Sequence, residues 1–156
     1  MNPKIVSLSK LSKLRKEHLS QKICLVSGCF DLLHFGHVRF LEAVKKTTDI
    51  LIVMILTDTF VKKRKTTARP IYNEKDRAGM IAALSVVDYA CLCSYEKVEN
   101  LIKNLQPDTY GVGGDRKNMV LPEKKILDKY QVKIRYYNRF GSISSTSIIQ
   151  KLKKLV

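Results

Sequence analysis

No apolar run in this 156-residue chain approaches the roughly 20 residues needed to span a bilayer, which argues against a membrane-spanning helix. The opening stretch, Met1-Asn-Pro-Lys-Ile-Val-Ser-Leu-Ser-Lys, lacks the apolar core and small-residue cleavage site of a secretory signal, so a cytoplasmic protein is expected. Cysteine is scarce. Cys91 and Cys93 stand on an expected strand with one residue between them and point the same way, and Cys24 and Cys29 form no second pair at zinc-finger spacing. Buried, reduced thiols are therefore expected, with no metal held by protein side chains. Repeats and low-complexity linkers are also missing, and the length suits one domain with a sizeable core. Acidic residues are few, 14 against 29 Lys and Arg, for a net charge of +15. Such a field attracts nucleic acid, anionic membrane or phosphorylated metabolites. The alternative is lysine that merely solvates helix faces, since only Lys62-Lys63-Arg64-Lys65 forms a run.

What is present is an alternation of strands and helices. Leu8, Leu11, Leu14 and Leu19 fall at helical spacing over residues 8–20, behind Ser7 or Ser9 as N-cap. This predicts an amphipathic N-terminal extension over residues 1–20, ahead of a domain over 21–156. Lys22–Ser27 reads as a strand ending at Gly28, and residues 36–46 as a helix. Ile50–Leu56 is a continuous apolar run of the kind buried on both faces of a parallel sheet. Residues 57–72 read as a basic loop. A helix capped by Asn73 follows, burying Met80, Ile81 and Leu84. Further strands are expected at Val86–Leu92, Thr109–Val112 and Val132–Tyr137. Helices are expected at 96–105, from Pro122 to about Tyr130, and from about Ser144 to Leu155. This order implies right-handed crossovers and a five-stranded parallel sheet, with ligands beyond the carboxyl ends of the strands.

Chemistry concentrates at one such end. In Ser27-Gly-Cys-Phe-Asp-Leu-Leu-His-Phe-Gly-His37, Gly28 would let a nucleotide approach the backbone, Phe30 would anchor the turn, and Asp31 would fix the loop or bind a ligand group. His34 and His37, three apart across a helix start, can face one point. Gly36 would leave room for a phosphate against free N–H groups and the positive end of the helix dipole. Two imidazoles there suit attack of one phosphate on another, because the five-coordinate transition state gains negative charge that needs donors fixed in advance.

This segment resembles the Gly-x-Phe-Asp-x-x-His-x-Gly-His signature of the cytidylyltransferase-like nucleotidyltransferases, and the match is complete. A second signature of that family resembles Ile143-Ser144-Ser145-Thr146-Ser147-Ile148. The resemblance implies a Rossmann-like three-layer α/β sandwich in which Ser144, Ser145 and Thr146 hold the β- and γ-phosphates of a nucleoside triphosphate bound with Mg²⁺. It further implies that Cys29, Gly114 and Asp115 lie along the nucleotide. Lys65, seven residues after Asp58, would bridge the two reacting phosphates, and Asp58 and Arg77 would meet phosphate or substrate. Arg139, four residues before Ile143, matches the glycerol-phosphate cytidylyltransferases. Arg69-Pro70, Ala82–Tyr89, Leu105-Gln106-Pro107-Asp108 and Gly113-Gly114-Asp115 fall in register with the adenylyltransferase domain that activates heptose 1-phosphate. Thr66, Val112 and Ser144-Ser145-Thr146 depart from that pattern where base and acceptor would be read.

The expected reaction is therefore NTP + R-phosphate → NDP-R + pyrophosphate, most closely an adenylyl transfer to a sugar phosphate. A glycerol 3-phosphate type of cytidylyl transfer is the alternative, and a homodimer is compatible with either. A non-catalytic nucleic-acid-binding module would want aromatic platforms near its basic stretch, but Phe60 alone stands close to residues 62–69 and Tyr136-Tyr137 lies on an expected strand.

Overall fold

The computed structural model describes residues 2–64, 69–138 and 140–155. Lys65, Thr66 and Arg139 lie outside the described residues, as do the side chains of Arg64 and Asp115. The chain runs α1 (Leu8–Glu17), β1 (Ile23–Gly28), α2 (Phe35–Lys45), β2 (Ile50–Leu56), α3 (Asp58–Arg64), α4 (Glu74–Ala83) and β3 (Tyr89–Cys93). It continues with α5 (Tyr95–Leu105), β4 (Thr109–Gly113), a single 3₁₀ turn (Gly114–Arg116), α6 (Lys124–Lys129), β5 (Lys133–Tyr137) and α7 (Ser145–Lys153).

The five strands form one parallel sheet in the order β3-β2-β1-β4-β5. The chain builds outward from β1 to β3, then returns to place β4 on the other side of β1. This reversal opens a crevice at the carboxyl ends of β1 and β4, where the helices that follow diverge to opposite faces.

Side-chain alternation explains why the sheet is covered twice. Ile23, Leu25, Ile52 and Met54 face a core completed by α1, α5 and α6, through Leu11, Leu14, Leu101, Ile102 and Leu127. Cys24, Val26, Leu51 and Val53 face a second core completed by α2 and α4, through Leu41, Val44, Ala78 and Ile81. All seven residues of β2 are buried, as its unbroken apolar run requires. Cys91 and Cys93 are free thiols, both in the first core. Burial pushes the Cys93 thiol up to about 11.

Three features differ from the expectations. The stretch read as a basic loop from 57 to 72 begins with α3, a helix of seven residues too short to show a period; its anchor is Val61, buried between β2 and the cleft. On α4 the buried residues are Arg77, Ala78, Ile81 and Ala82, whereas Met80 and Leu84 are only half-buried. The strand expected to begin at Val86 begins at Tyr89. The N-terminal helix packs on its own domain: Leu11 and Leu14 are fully enclosed, and Arg15 donates to the Leu105 and Gln106 carbonyls and to Asp108. Among the described residues no helix is long and apolar enough to cross a membrane.

Candidate active site

The turn from β1 into α2 carries two non-glycine residues in the left-handed region, Phe30 (φ 51°) and Leu32 (φ 49°). Such conformations cost of order 1 kcal/mol or more each and persist only where the surroundings hold them. Here the holding is visible. Phe30 is buried, its ring folded back over the strand end. A Cβ on Gly28 would stand 2.7 Å from that ring, so this glycine, which also lines the cleft, makes room for Phe30.

Asp31, 1% exposed, fastens the turn from below. Its carboxylate accepts from the Arg69 guanidinium at 2.6 Å and from the N–H groups of Ile71 and Tyr72 at 3.0 and 3.1 Å. Burial alone would raise its pKa. The two N–H groups and Arg69 more than offset this and hold the carboxyl below its ordinary value. Of the two roles expected for Asp31, the geometry supplies loop fixing.

His34 is the N-cap of α2 and His37 lies one turn in. Their rings stack with centroids 3.9 Å apart, and the edge of Phe30 meets His37. His37 Nδ1 accepts from the His34 N–H at 3.4 Å, which assigns the proton of a neutral His37 to Nε2. Burial holds the His34 pKa below its ordinary value. His34 Nδ1 is buried and has no hydrogen-bond partner among the described residues. A Cβ on Gly36 would meet the His34 ring at 3.0 Å and the Phe140 carbonyl at 3.1 Å. The glycine between the histidines, itself part of the cleft lining, thus seats the His34 ring and the 140 loop.

The second helix start closes against the first. Ser144 caps α7 in a reciprocal pair: its Oγ accepts from Ser147 N–H at 3.0 Å, and Ser147 Oγ accepts from Ser144 N–H at 2.8 Å. Ser145 Oγ donates to the Asp31 carbonyl at 2.6 Å, which ties α7 to the β1–α2 turn. The hydroxyls of Ser144 and Ser145 are therefore occupied in shaping the site. The first-turn N–H groups of Ser145 and Thr146 have no intrahelical acceptor and remain for an anion. Gly28, Asp31, His34, His37, Ser144 and Thr146 all line one cleft of about 500 Å³, whose other wall includes Tyr110, Gly113 and Arg116. Ser27 and Tyr110 are joined at the cleft floor by a 2.5 Å hydrogen bond between their hydroxyls.

Arg77 departs most from its expected role. It is fully buried, with Nε on the Tyr72 carbonyl (3.0 Å), Nη1 on the Cys29 carbonyl (2.5 Å), and Nη2 on the Leu56 carbonyl (2.8 Å) and Asp58 Oδ1 (2.6 Å). The expectation that Arg77 and Asp58 meet phosphate is corrected to an internal clamp on the ends of β1 and β2, because every nitrogen of the guanidinium already donates to protein. Gly114 lies in the 3₁₀ turn beside the cleft. Tyr110, Arg116, Asn138 and Phe140 also line the cleft but escaped the sequence reading, since no motif marks residues that meet only through the tertiary structure.

The sequence over residues 25–151 matches the cytidylyltransferase-like family. The chain belongs to that family. It is a nucleotidyltransferase. The bifunctional protein HldE of Helicobacter pylori strain G27 is 42% identical over 154 residues, covering 98% of this chain and 32% of that protein. HldE of Campylobacter fetus subsp. fetus is 35% identical over 150 residues, 96% of this chain and 31% of that protein. The chain thus spans about a third of the length of these relatives. A lipopolysaccharide core biosynthesis protein from Thermoplasma volcanium superposes with a TM-score of 0.66 at 28% identity, covering 78% of this chain and 100% of that one. A pantoate-β-alanine ligase from Francisella tularensis has the same fold, with a TM-score of 0.66 at 17% identity, covering 96% of this chain and 76% of that one.

Proposed function

We propose that the chain moves an adenylyl group from ATP to a sugar 1-phosphate of the heptose 1-phosphate kind in the cytoplasm, with release of pyrophosphate. The observation that carries this reading is the pairing of two helix N-termini, at His34 and Ser144, through the Ser145–Asp31 hydrogen bond on one cleft. The likeness to HldE supports the choice of nucleotide and acceptor.

An oxygen of the acceptor phosphate forms the new bond to the α-phosphorus as the bond from that phosphorus to the β-bridging oxygen breaks, and pyrophosphate leaves with the electron pair. The nucleophile is already ionised near pH 7, so no proton transfer is required. His37, through Nε2–H, and His34 donate to the α-phosphate oxygens as charge builds there. The N–H groups of Ser145 and Thr146 take the β- and γ-phosphates, and the family resemblance alone assigns Lys65 to the reacting phosphates. Asp31 and Asp58 are committed to Arg69 and Arg77. Among the described residues no group of three His, Cys, Asp or Glu could hold a metal. Mg²⁺ would accompany the triphosphate, whose charge it would offset.

Pyrophosphate release, measured with ATP and with CTP against a panel of sugar and polyol phosphates, tests this directly. ATP with a sugar 1-phosphate is expected to turn over, and His37→Ala to lower kcat by about a hundredfold to a thousandfold with unchanged circular dichroism. Turnover with CTP and glycerol 3-phosphate alone would replace the reading with a cytidylyl transfer.

A further inference from the structure

Arg116 is the one Lys or Arg among the described residues that lines the cleft. It is half-buried, and its guanidinium makes no hydrogen bond or ion pair with any described residue. The neighbouring arginines differ: Arg69 is spent on Asp31 and Arg77 on Asp58. A guanidinium with five donors, held at the rim of a concave site with no acceptor among the described residues, is suited to a carboxylate or phosphate supplied from outside.

Its position decides which one. The starts of α2 and α7 belong to one wall, tied together by Ser145 and Asp31 and backed by the core of Val26, Leu41 and Val44. Arg116 ends the 3₁₀ turn that carries the chain from β4 toward α6, on the side of Tyr110 and Leu127 in the other core. The two walls face each other across the ends of β1 and β4. In phosphoryl-group chemistry the attacking and leaving oxygens stand on opposite sides of the phosphorus. With pyrophosphate departing along the α7 wall, the nucleophile approaches from the opposite one.

We propose that Arg116 holds the phosphate of the acceptor and orients it for attack. This rests on the nucleotidyl-transfer reading above, and adds a substrate-binding residue that neither signature motif contains.

The test is steady-state pyrophosphate release by the wild type, Arg116→Ala and Arg116→Lys, with each substrate varied in turn. Loss of a charge-assisted pair predicts a KM for the acceptor raised roughly tenfold to a hundredfold in Arg116→Ala, with the KM for nucleotide within about twofold. Arg116→Lys, which keeps charge but not the fork, should fall between. Because the Arg116 guanidinium has no hydrogen bond or ion pair with a described residue and only a through-space attraction to the Tyr110 hydroxyl, the melting temperature should move by no more than about a degree. A raised nucleotide KM with the acceptor unchanged, or no change in either, overturns the assignment. If no substrate pair turns over with the wild type, the functional reading has failed, and Arg116 is then judged by calorimetric titration with inorganic phosphate. Roughly tenfold weaker phosphate binding by Arg116→Ala supports the site, whereas equal binding, or no binding by the wild type, removes it.

Discussion

Replacing Arg77 with Met separates a clamp from a substrate ligand. The stem volume is kept, so the cavity term is small, and the perturbation is the loss of four hydrogen bonds to oxygen and one to the Cys29 sulfur from a fully buried guanidinium. Removing one partner of a buried ion pair costs about 3–5 kcal/mol, because the other charge is left uncompensated. Asp58 is 28% exposed and can rehydrate, which draws the estimate toward the lower end. The carbonyls of Cys29, Leu56 and Tyr72 lose their donor, at about 1–3 kcal/mol each if nothing relaxes. These costs are not additive, since a water can enter the space. A total of about 3–4 kcal/mol is expected, out of a typical stability of about 5–15 kcal/mol. For a chain of this size that lowers the melting temperature by roughly 6–16 °C. Urea and thermal unfolding followed by circular dichroism measure it, beside KM values for both substrates. An Arg77→Met protein within half a kcal/mol of wild type (on the order of the error of such measurements) but with a tenfold weaker acceptor would refute the clamp.

Two further predictions concern the β1–α2 turn. Gly28→Ala places a Cβ 2.7 Å from the Phe30 ring, so the ring must swing away at a cost of about 1–3 kcal/mol. Since Phe30 abuts His37, kcat should fall together with the melting temperature; unchanged values of both would show that the ring is not seated there. His34, held below its ordinary pKa by burial, should titrate below 6.5 by NMR of its ring protons. A depressed value means that the unfolded chain binds the proton first. The stability from neutral His34 is therefore complete above pH 6.5 and declines as pH falls from there through the folded-state pKa. A midpoint at or above 6.5 in the folded protein would contradict the buried geometry.

Where one physical signal dominated, sequence and structure agree closely. The unbroken apolar run Ile50–Leu56 is β2 to the residue, because a strand covered on both faces leaves no polar position to blur its ends. The cap Asn73, and Ser7 as one of two candidate serines, were legible because a side-chain acceptor satisfies a helix N–H two or three residues ahead, wherever the helix later packs. Short elements were not. The helix Asp58–Arg64 carries one buried apolar anchor, which defines no period, and its Lys62-Lys63-Arg64 end resembles a loop in composition.

The sequence by itself determined the alternation that makes a doubly covered parallel sheet, and the two local signatures that start α2 and α7, since capping and periodicity act within a few residues. Only the tertiary structure decided what each polar group is for. Asp31 and Arg77 are both charged, near the site and in register with a phosphate-binding family, yet both are consumed inside the protein, Asp31 by partners 38 to 41 residues away and Arg77 by partners up to 48 residues away. Arg116, which no motif marks, is left facing the cleft. A charge binds a ligand only when the fold brings it no partner of its own, and that depends on which strands become neighbours.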